Sequence, residues 1–137
     1  MVLEHMDDPV SEVKQIYRVL KHNGVLFVEV PNMDSFMLRS ASCYFQLRKK
    51  DWSPLLSPLH YPYHCYGYNF SSLKYLLKEC GFKIKKSFKS DIGLRGMRYG
   101  RPAAGFEKFL CRAAACAGGL LGAGDILKII AVKEDGV

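Results

Sequence analysis

The sequence has no long run of apolar residues and no leader typical of an exported protein. Its most apolar window, residues 109–123, is shorter than the roughly 20 residues that span a bilayer, and it contains Arg112. Glu4, Asp7 and Asp8 stand where a secretory signal would place basic residues and then an apolar segment. These absences predict a cytoplasmic protein with no transmembrane helix.

Paired cysteines and several enzyme motifs are also absent. The five cysteines form no CxxC pair, which predicts reduced thiols. No Gly-x-Ser-x-Gly elbow occurs, and none of the twelve glycines builds a GxGxG turn after a strand, so no nucleotide-binding turn is predicted. What is present is 137 residues, 49% of them hydrophobic, a composition typical of one globular domain.

Positive charge is concentrated in one stretch. Residues 74–101 hold nine lysines and arginines and two acidic residues, which accounts for the whole formal charge of +7. Such a stretch attracts phosphate, nucleic acid or an anionic membrane surface. The alternative is a solvated helix face and a strand edge protected by lysine. No nucleic-acid-binding pattern accompanies the charge, so the solvated surface is favoured over nucleic-acid binding.

The amino-terminal part predicts a helix followed by a buried strand. Asp8 is a natural N-cap before Pro9, and apolar residues recur at helical spacing until Gly24, which is expected to end the helix. Residues 25–28 then run apolar without alternation, as in a strand covered by helices on both faces. Helix, glycine turn and buried strand form the repeating unit of an open α/β sheet.

Residues 33–70 form a long connection that is rich in aromatic side chains. A helix is predicted within residues 33–50, whereas prolines and glycines favour a loop over residues 51–69. A connection of this length is usually functional or disordered, and its aromatic content argues against disorder. We expect a lid or a substrate-facing insertion within a single partial domain of residues 1–137.

The carboxyl-terminal part predicts a helix and two strands. Ser71 is expected to cap a helix with an apolar face that ends at Gly81; the face comprises Leu73, Leu76, Leu77 and Cys80. A strand from Phe82 should direct Phe88 inward. A loop over residues 90–105, a helix over residues 105–117 and a last strand over residues 126–132 complete the prediction.

The segment HYPYHC offers three potential metal ligands, His60, His64 and Cys65. Pro62 stands between the histidines and disfavours their presentation from one face of a helix. No metal site is therefore predicted.

The order of these segments resembles the C-terminal half of a class I S-adenosylmethionine-dependent methyltransferase of type 11 or 23. VLEH followed by an acid and a proline resembles the loop after the fourth strand, and VLKHNGVLFVEVPN resembles the turn and fifth strand. HCYGYNFSSLKYLLKECGF resembles the stretch before the sixth strand, and GDILKIIAVK the closing antiparallel strand. The resemblance implies half of a Rossmann-like α/β sheet, with ligands at the carboxyl ends of the strands.

The resemblance also implies S-adenosylmethionine as the cofactor of the complete enzyme. Leu3, Glu4 and His5 match the loop that borders the methionine end of the cofactor in such enzymes. Glu4 or His5 would then position the substrate or accept a proton. The alternative is that both residues only support the loop.

On the substrate side the resemblance places Trp52, His64 and Tyr66, whose alternative role is to pack the insertion onto the sheet. The acceptor is expected to be a small molecule. Because the glycine-rich turn is absent, we expect a truncated portion that is inactive alone. The competing hypothesis is a non-enzymatic interaction protein, which pairs its exposed sheet edge with a second copy or a partner chain.

Overall fold

The computed structural model describes residues 1–49, 64–90 and 122–134, together with Ala113 and Ala117. The three described ranges form a short 3-10 turn, three helices and three strands in the order η1 (Leu3–His5), α1 (Pro9–Val19), β1 (Val25–Pro31), α2 (Phe36–Leu47), α3 (Phe70–Glu79), β2 (Phe82–Ser90) and β3 (Ile126–Lys133). Within these ranges no helix is long and apolar enough to cross a bilayer. Of the helix predicted over residues 105–117, Ala113 and Ala117 are helical; the predicted loop over 91–105 lies outside the described residues.

The strands form one sheet in the order β1-β3-β2. The last strand lies between the other two and runs antiparallel to both, with Val28 opposite Ile129 and Phe82 opposite Lys133. The predicted closing antiparallel strand is therefore confirmed. In the part of the chain that the structure describes, β1 has a strand neighbour on one side only.

Helix α1 begins where the sequence predicts and ends earlier. The Asp8 carboxylate accepts a hydrogen bond from the Ser11 amide, and Pro9 follows the cap. The helix stops at Val19, and the residue that turns the chain is Asn23, with a φ of 57°. Gly24 is needed for a different reason, because a Cβ there would lie 2.7 Å from the Lys21 carbonyl oxygen. The prediction that Gly24 ends the helix was wrong by about one turn.

Helices α1 and α3 pack on one face of the sheet. The core there is apolar and fully buried, and it includes Val13, Val30, Leu73, Leu77, Leu127 and Ile129. The predicted apolar face of α3 is confirmed, since all four of its residues are buried. Burying one such side chain stabilises a fold by about 1.5–3 kcal/mol, so this face holds the domain together.

On the opposite face of β1, no described helix covers the first half of the strand. Burial alternates along the strand, and Val25 and Phe27 remain 61% and 53% exposed. At Val25 and Phe27 the prediction of a strand covered on both faces was therefore wrong. An uninterrupted apolar run showed that both faces are suited to burial, and it did not show which residues cover them.

Strand β2 contains an irregularity that reverses its faces. Ile84 pairs with Ala131 and Lys86 pairs with Ile130, so Lys85 is an extra residue. Because side chains alternate along a strand, one extra residue transfers every later side chain to the other face. Phe88 consequently points outward and is 39% exposed, contrary to the prediction that it points inward.

The observed N-cap of helix α3, Asn69, lies two residues before the predicted cap Ser71. Asn69 accepts a hydrogen bond from the Ser72 amide at 2.9 Å, and the Ser72 hydroxyl accepts one from the Asn69 amide at 3.0 Å. This reciprocal capping box replaces Ser71 as the helix start. The predicted glycine exit is confirmed, since Gly81 has a φ of 91° and packs beneath the Tyr17 ring.

Helix α2 confirms the helix predicted within residues 33–50, with the Ser35 hydroxyl accepting a hydrogen bond from the Leu38 amide. The lid or insertion assigned to residues 33–70 stays a prediction, because residues 50–63 lie outside the described part of the chain.

Candidate functional site

The candidate site lies at the carboxyl end of β1, where Asn32 fixes three segments. Its side-chain Nδ2 donates to the Gly124 carbonyl oxygen, and its backbone amide donates to the Asp125 carbonyl oxygen, both at 2.8 Å. Asn32 also forms an isolated parallel bridge with Tyr68, and the Met33 amide donates to the Tyr68 carbonyl oxygen. The segment before α3 is therefore held against the end of β1.

The turn Leu3–His5 is tied to the same segment through its backbone. The Glu4 carbonyl oxygen accepts hydrogen bonds from the Cys65 amide at 2.8 Å and the Tyr66 amide at 3.2 Å. Leu3 is 6% exposed and packs in the core, which anchors the turn from below. These contacts bring His64 beside His5, although about 60 positions separate them in the sequence.

Glu4, His5 and His64 form a compact polar cluster. A carboxylate oxygen and two imidazole nitrogens, one from each residue, all lie within 4.8 Å of one another. The two imidazole rings are tilted, with their centroids 4.7 Å apart. Nε2 of His5 lies 3.7 Å from Oε1 of Glu4; the His5 side chain is 37% exposed and that of Glu4 is 2% exposed. A buried carboxylate thus lies behind two more accessible imidazoles.

Neither carboxylate oxygen of Glu4 has a hydrogen-bond partner among the described residues, and the same holds for the Tyr68 hydroxyl. Burial raises the pKa of Tyr68 to about 12, and the negative charge of Glu4 and the nearby Tyr66 add to the shift. Tyr68 therefore keeps its proton at neutral pH and remains a hydrogen-bond donor. A buried carboxylate without hydrogen bonds costs free energy, so it calls for a compensating ligand or function.

Tyr66 forms the solvent-facing side of the site. It is 41% exposed, its hydroxyl donates to the Asp7 carbonyl oxygen at 3.0 Å, and its ring centroid lies 6.4 Å from that of Tyr68. Trp52, which sequence analysis places on the same side, lies outside the described residues.

The structure brings together five of the six predicted site residues, namely Leu3, Glu4, His5, His64 and Tyr66. Leu3 contributes packing, and the other four contribute polar or aromatic groups near the end of β1. The sequence missed Tyr68 and Asn32. Asn32 follows a buried strand directly, which is a usable signal, whereas nothing local in the sequence marks the unpartnered hydroxyl of Tyr68.

Comparison with protein families identifies a match that covers the amino-terminal part of the chain. A family described as a methyltransferase domain matches residues 1–87, which is more than half of the chain and includes the whole cluster. A comparison with curated proteins found no similar sequence.

Solved structures show the same fold. A possible histamine N-methyltransferase, an S-adenosylmethionine-dependent enzyme of Thermotoga maritima, superposes with a TM-score of 0.57 at 18% identity over 96% of this chain. A further S-adenosylmethionine-dependent methyltransferase, from Archaeoglobus fulgidus, superposes with a TM-score of 0.50 at 19% identity over 96% of this chain. The matches cover 52% and 55% of those proteins, so the chain spans about half the length of the solved structures it matches.

Proposed function

The chain belongs to the methyltransferase domain family, and we propose that it forms the C-terminal half of an S-adenosylmethionine-dependent methyltransferase that acts on a small-molecule acceptor. The observation that carries the proposal is the polar cluster at the carboxyl end of β1. In open α/β sheets ligands bind at this end of the strands, and the family match includes all three residues of the cluster.

The residues of this chain suit one end of the cofactor. The buried carboxylate of Glu4, which accepts no hydrogen bond among the described residues, is complementary to a positively charged group, and S-adenosylmethionine carries its charge beside the methyl group that it transfers. The sequence contains no glycine-rich turn for the nucleotide end. We therefore propose that this chain binds no S-adenosylmethionine alone and that another segment supplies that turn.

When bound, the cofactor supplies an electrophilic methyl group. The work of this chain is to place the acceptor, because orientation of the reacting atoms accounts for a large part of such catalysis. Glu4 and His5 position the nucleophilic atom, and His5 is the more exposed of the two. His64, Tyr66 and, by the sequence prediction, Trp52 line the acceptor side. Proton acceptance by His5 remains a prediction.

A chimera tests this function. This chain would replace the matched half of the Thermotoga maritima methyltransferase, and S-adenosylmethionine binding would be measured by calorimetry. Transfer of a labelled methyl group to amine and phenol acceptors would be measured in parallel. We expect binding and transfer by the chimera, with transfer reduced by His5→Asn and unchanged by His22→Asn, which alters an exposed histidine outside the cluster. A folded chimera that binds no cofactor would contradict the proposal.

The second candidate is the non-enzymatic interaction protein. It is favoured by the outer edge of β1, which has no strand neighbour among the described residues, and by the exposed Val25 and Phe27. An unpaired apolar edge readily recruits a strand from another chain. The interaction protein requires a stable oligomer or complex of defined size, which light scattering detects. It also requires that no assembly of the chain binds the cofactor.

A further inference from the structure

A second kind of occupant suits the cluster of Glu4, His5 and His64. We propose that these three side chains bind one divalent cation of the zinc type. This inference concerns the same site as the proposed methyl transfer but does not rest on it, since a metal-binding site requires only the donor set described above.

The donor set is of a recognised kind. Two imidazole nitrogens and one carboxylate oxygen are the ligands of many catalytic zinc sites, in which the fourth position stays open to water or substrate. Imidazole nitrogen favours zinc and other transition metals over magnesium and calcium, which prefer oxygen ligands. The two histidines therefore point to a transition-metal ion.

The buried carboxylate supplies independent support. The Glu4 side chain is 2% exposed, and neither of its oxygens has a hydrogen-bond partner in the described part of the chain. A structural carboxylate at such a position would normally accept hydrogen bonds from neighbouring amides or from an arginine. An unsatisfied carboxylate that faces two imidazoles instead suits a bound cation, which offsets the cost of burying its charge.

The backbone holds the two halves of the site in place. The Glu4 carbonyl oxygen binds the amides of Cys65 and Tyr66, directly after His64. Metal sites depend on a fold that fixes ligands from distant segments, and these two hydrogen bonds provide that fixation.

The distances allow a small closing movement. Zinc holds such ligands at about 2.0–2.2 Å, which places the ligand atoms roughly 3.5 Å from one another. The present atoms lie within 4.8 Å. The His5 side chain is 37% exposed and that of Glu4 is 2% exposed, so the proposed closing movement is assigned to His5.

This site differs from the one considered in HYPYHC, which would use His60 and Cys65 with His64. Sequence analysis predicted no metal site in that segment because Pro62 disfavours presentation of both histidines from one helix face, and it considered no ligand outside the segment. A cation at the cluster would also engage the His5 lone pair, so cation binding and proton acceptance by His5 are alternative states of the site.

Metal binding is measured on the full chain without any cofactor. Zinc chloride would be titrated into metal-free protein by calorimetry, and cobalt chloride would be followed by visible absorption, which reports coordination number and ligand type. We expect one equivalent of zinc per chain and an intense visible cobalt spectrum, typical of four or five ligands. Far-UV circular dichroism establishes that each protein is folded.

Variants identify the ligands. Glu4→Gln and His64→Asn should weaken zinc binding by at least the roughly ten- to hundredfold that even loss of an outer partner costs. Three controls should retain the affinity: His22→Asn at an exposed site elsewhere, and His60→Asn and Cys65→Ser, which probe the HYPYHC alternative. Because His64 is only half-buried, we expect His64→Asn to fold. If Glu4→Gln fails to fold, the zinc affinity of His64→Asn tests whether the cluster binds the metal.

Two results would overturn the proposal. One is absence of zinc and cobalt binding by the folded chain. The other is binding that His60→Asn or Cys65→Ser abolishes and His64→Asn together with Glu4→Gln leaves intact. Since neither measurement uses S-adenosylmethionine, failure of the metal site and failure of methyl transfer are seen separately.

Discussion

The helix-covered face of the sheet and the carboxyl end of β1 differ in the kind of side chain that they bury. On the covered face Leu73, Leu77 and Ile129 are fully buried and apolar, and the caps of α1 and α3 are satisfied by local side chains. At the end of β1 a carboxylate and a hydroxyl are buried without hydrogen bonds among the described residues, and the outer face of the strand is open.

The contrast separates scaffold from function. A region in which every local preference agrees with the fold is stable and needs no partner. We propose that the region that buries Glu4 without a hydrogen bond is retained for what it binds. Four changes test this division, beginning with the largest expected effect.

The largest effect should come from truncating the scaffold. Leu77 is 0% exposed, so Leu77→Ala removes core packing and leaves a cavity. We expect a loss of about 2–5 kcal/mol in the free energy of unfolding, measured by urea denaturation. Val19→Ala is the control, because Val19 is 72% exposed and should change stability by less than about 0.5 kcal/mol. Equal losses at the two positions would show that α3 does not form the core described.

Replacing Glu4 at the candidate site should raise the free energy of unfolding, whereas truncating the core lowers it. Glu4→Met replaces a buried carboxylate by an apolar side chain of similar length and should stabilise the metal-free chain by about 1–3 kcal/mol. Urea denaturation in the presence of a chelator measures the gain. Glu12→Met, at an exposed position on α1, should give no gain. If Glu4→Met destabilises the chain as Leu77→Ala does, Glu4 belongs to the scaffold.

A smaller effect distinguishes the observed helix cap from the predicted one. Asn69→Ala removes the side chain that accepts from the Ser72 amide and should cost about 1 kcal/mol. Ser71→Ala should be nearly neutral, because its side chain is exposed and lies inside the helix. Thermal unfolding of the two variants gives the comparison, and a larger shift for Ser71→Ala would place the helix start where the sequence predicted it.

The smallest effect is a surface charge interaction. The hydrogen bonds and charges of Lys83 and Lys85 lower the pKa of Glu134 from its ordinary value of 4.5. Since the folded-state pKa is lowered, the stabilisation is present above pH 4.5 and is lost as the pH falls through the lower value. Wild type and Glu134→Gln should therefore differ slightly at pH 7 and converge in acid, with the neutral-pH difference reduced by salt. A difference that grows in acid would contradict this sign.

The sequence was sufficient where local patterns decide the structure. The helical spacing of Leu73, Leu76 and Leu77 predicted the face of α3, and Asp8-Pro9 predicted the start of α1. The sequence was insufficient where one extra residue moves the later side chains of a strand to the other face of the sheet. The extra Lys85 in β2 turned Phe88 outward, and no local pattern announces a bulge that pairing with β3 produces.

The sequence predicted which residues belong to the site but not how they are arranged. The resemblance singled out Glu4, His5 and His64 separately, and the contact between them arises from backbone hydrogen bonds across about 60 positions. The lack of hydrogen bonds to the buried Glu4 carboxylate depends on long-range packing, which the sequence does not show. Sequence analysis likewise considered only His60, His64 and Cys65, which are close in sequence, as potential metal ligands and predicted no metal site.

Titration of S-adenosylmethionine into the isolated, folded chain is the most direct test of the central claim that this chain is the acceptor-side half of a methyltransferase domain. The account predicts no heat of binding from this chain, because the cluster meets only the reacting end of the cofactor, and clear binding once the Thermotoga maritima half is supplied in the chimera. One-to-one binding by the isolated chain would contradict the account, since a complete cofactor site would then lie within these 137 residues.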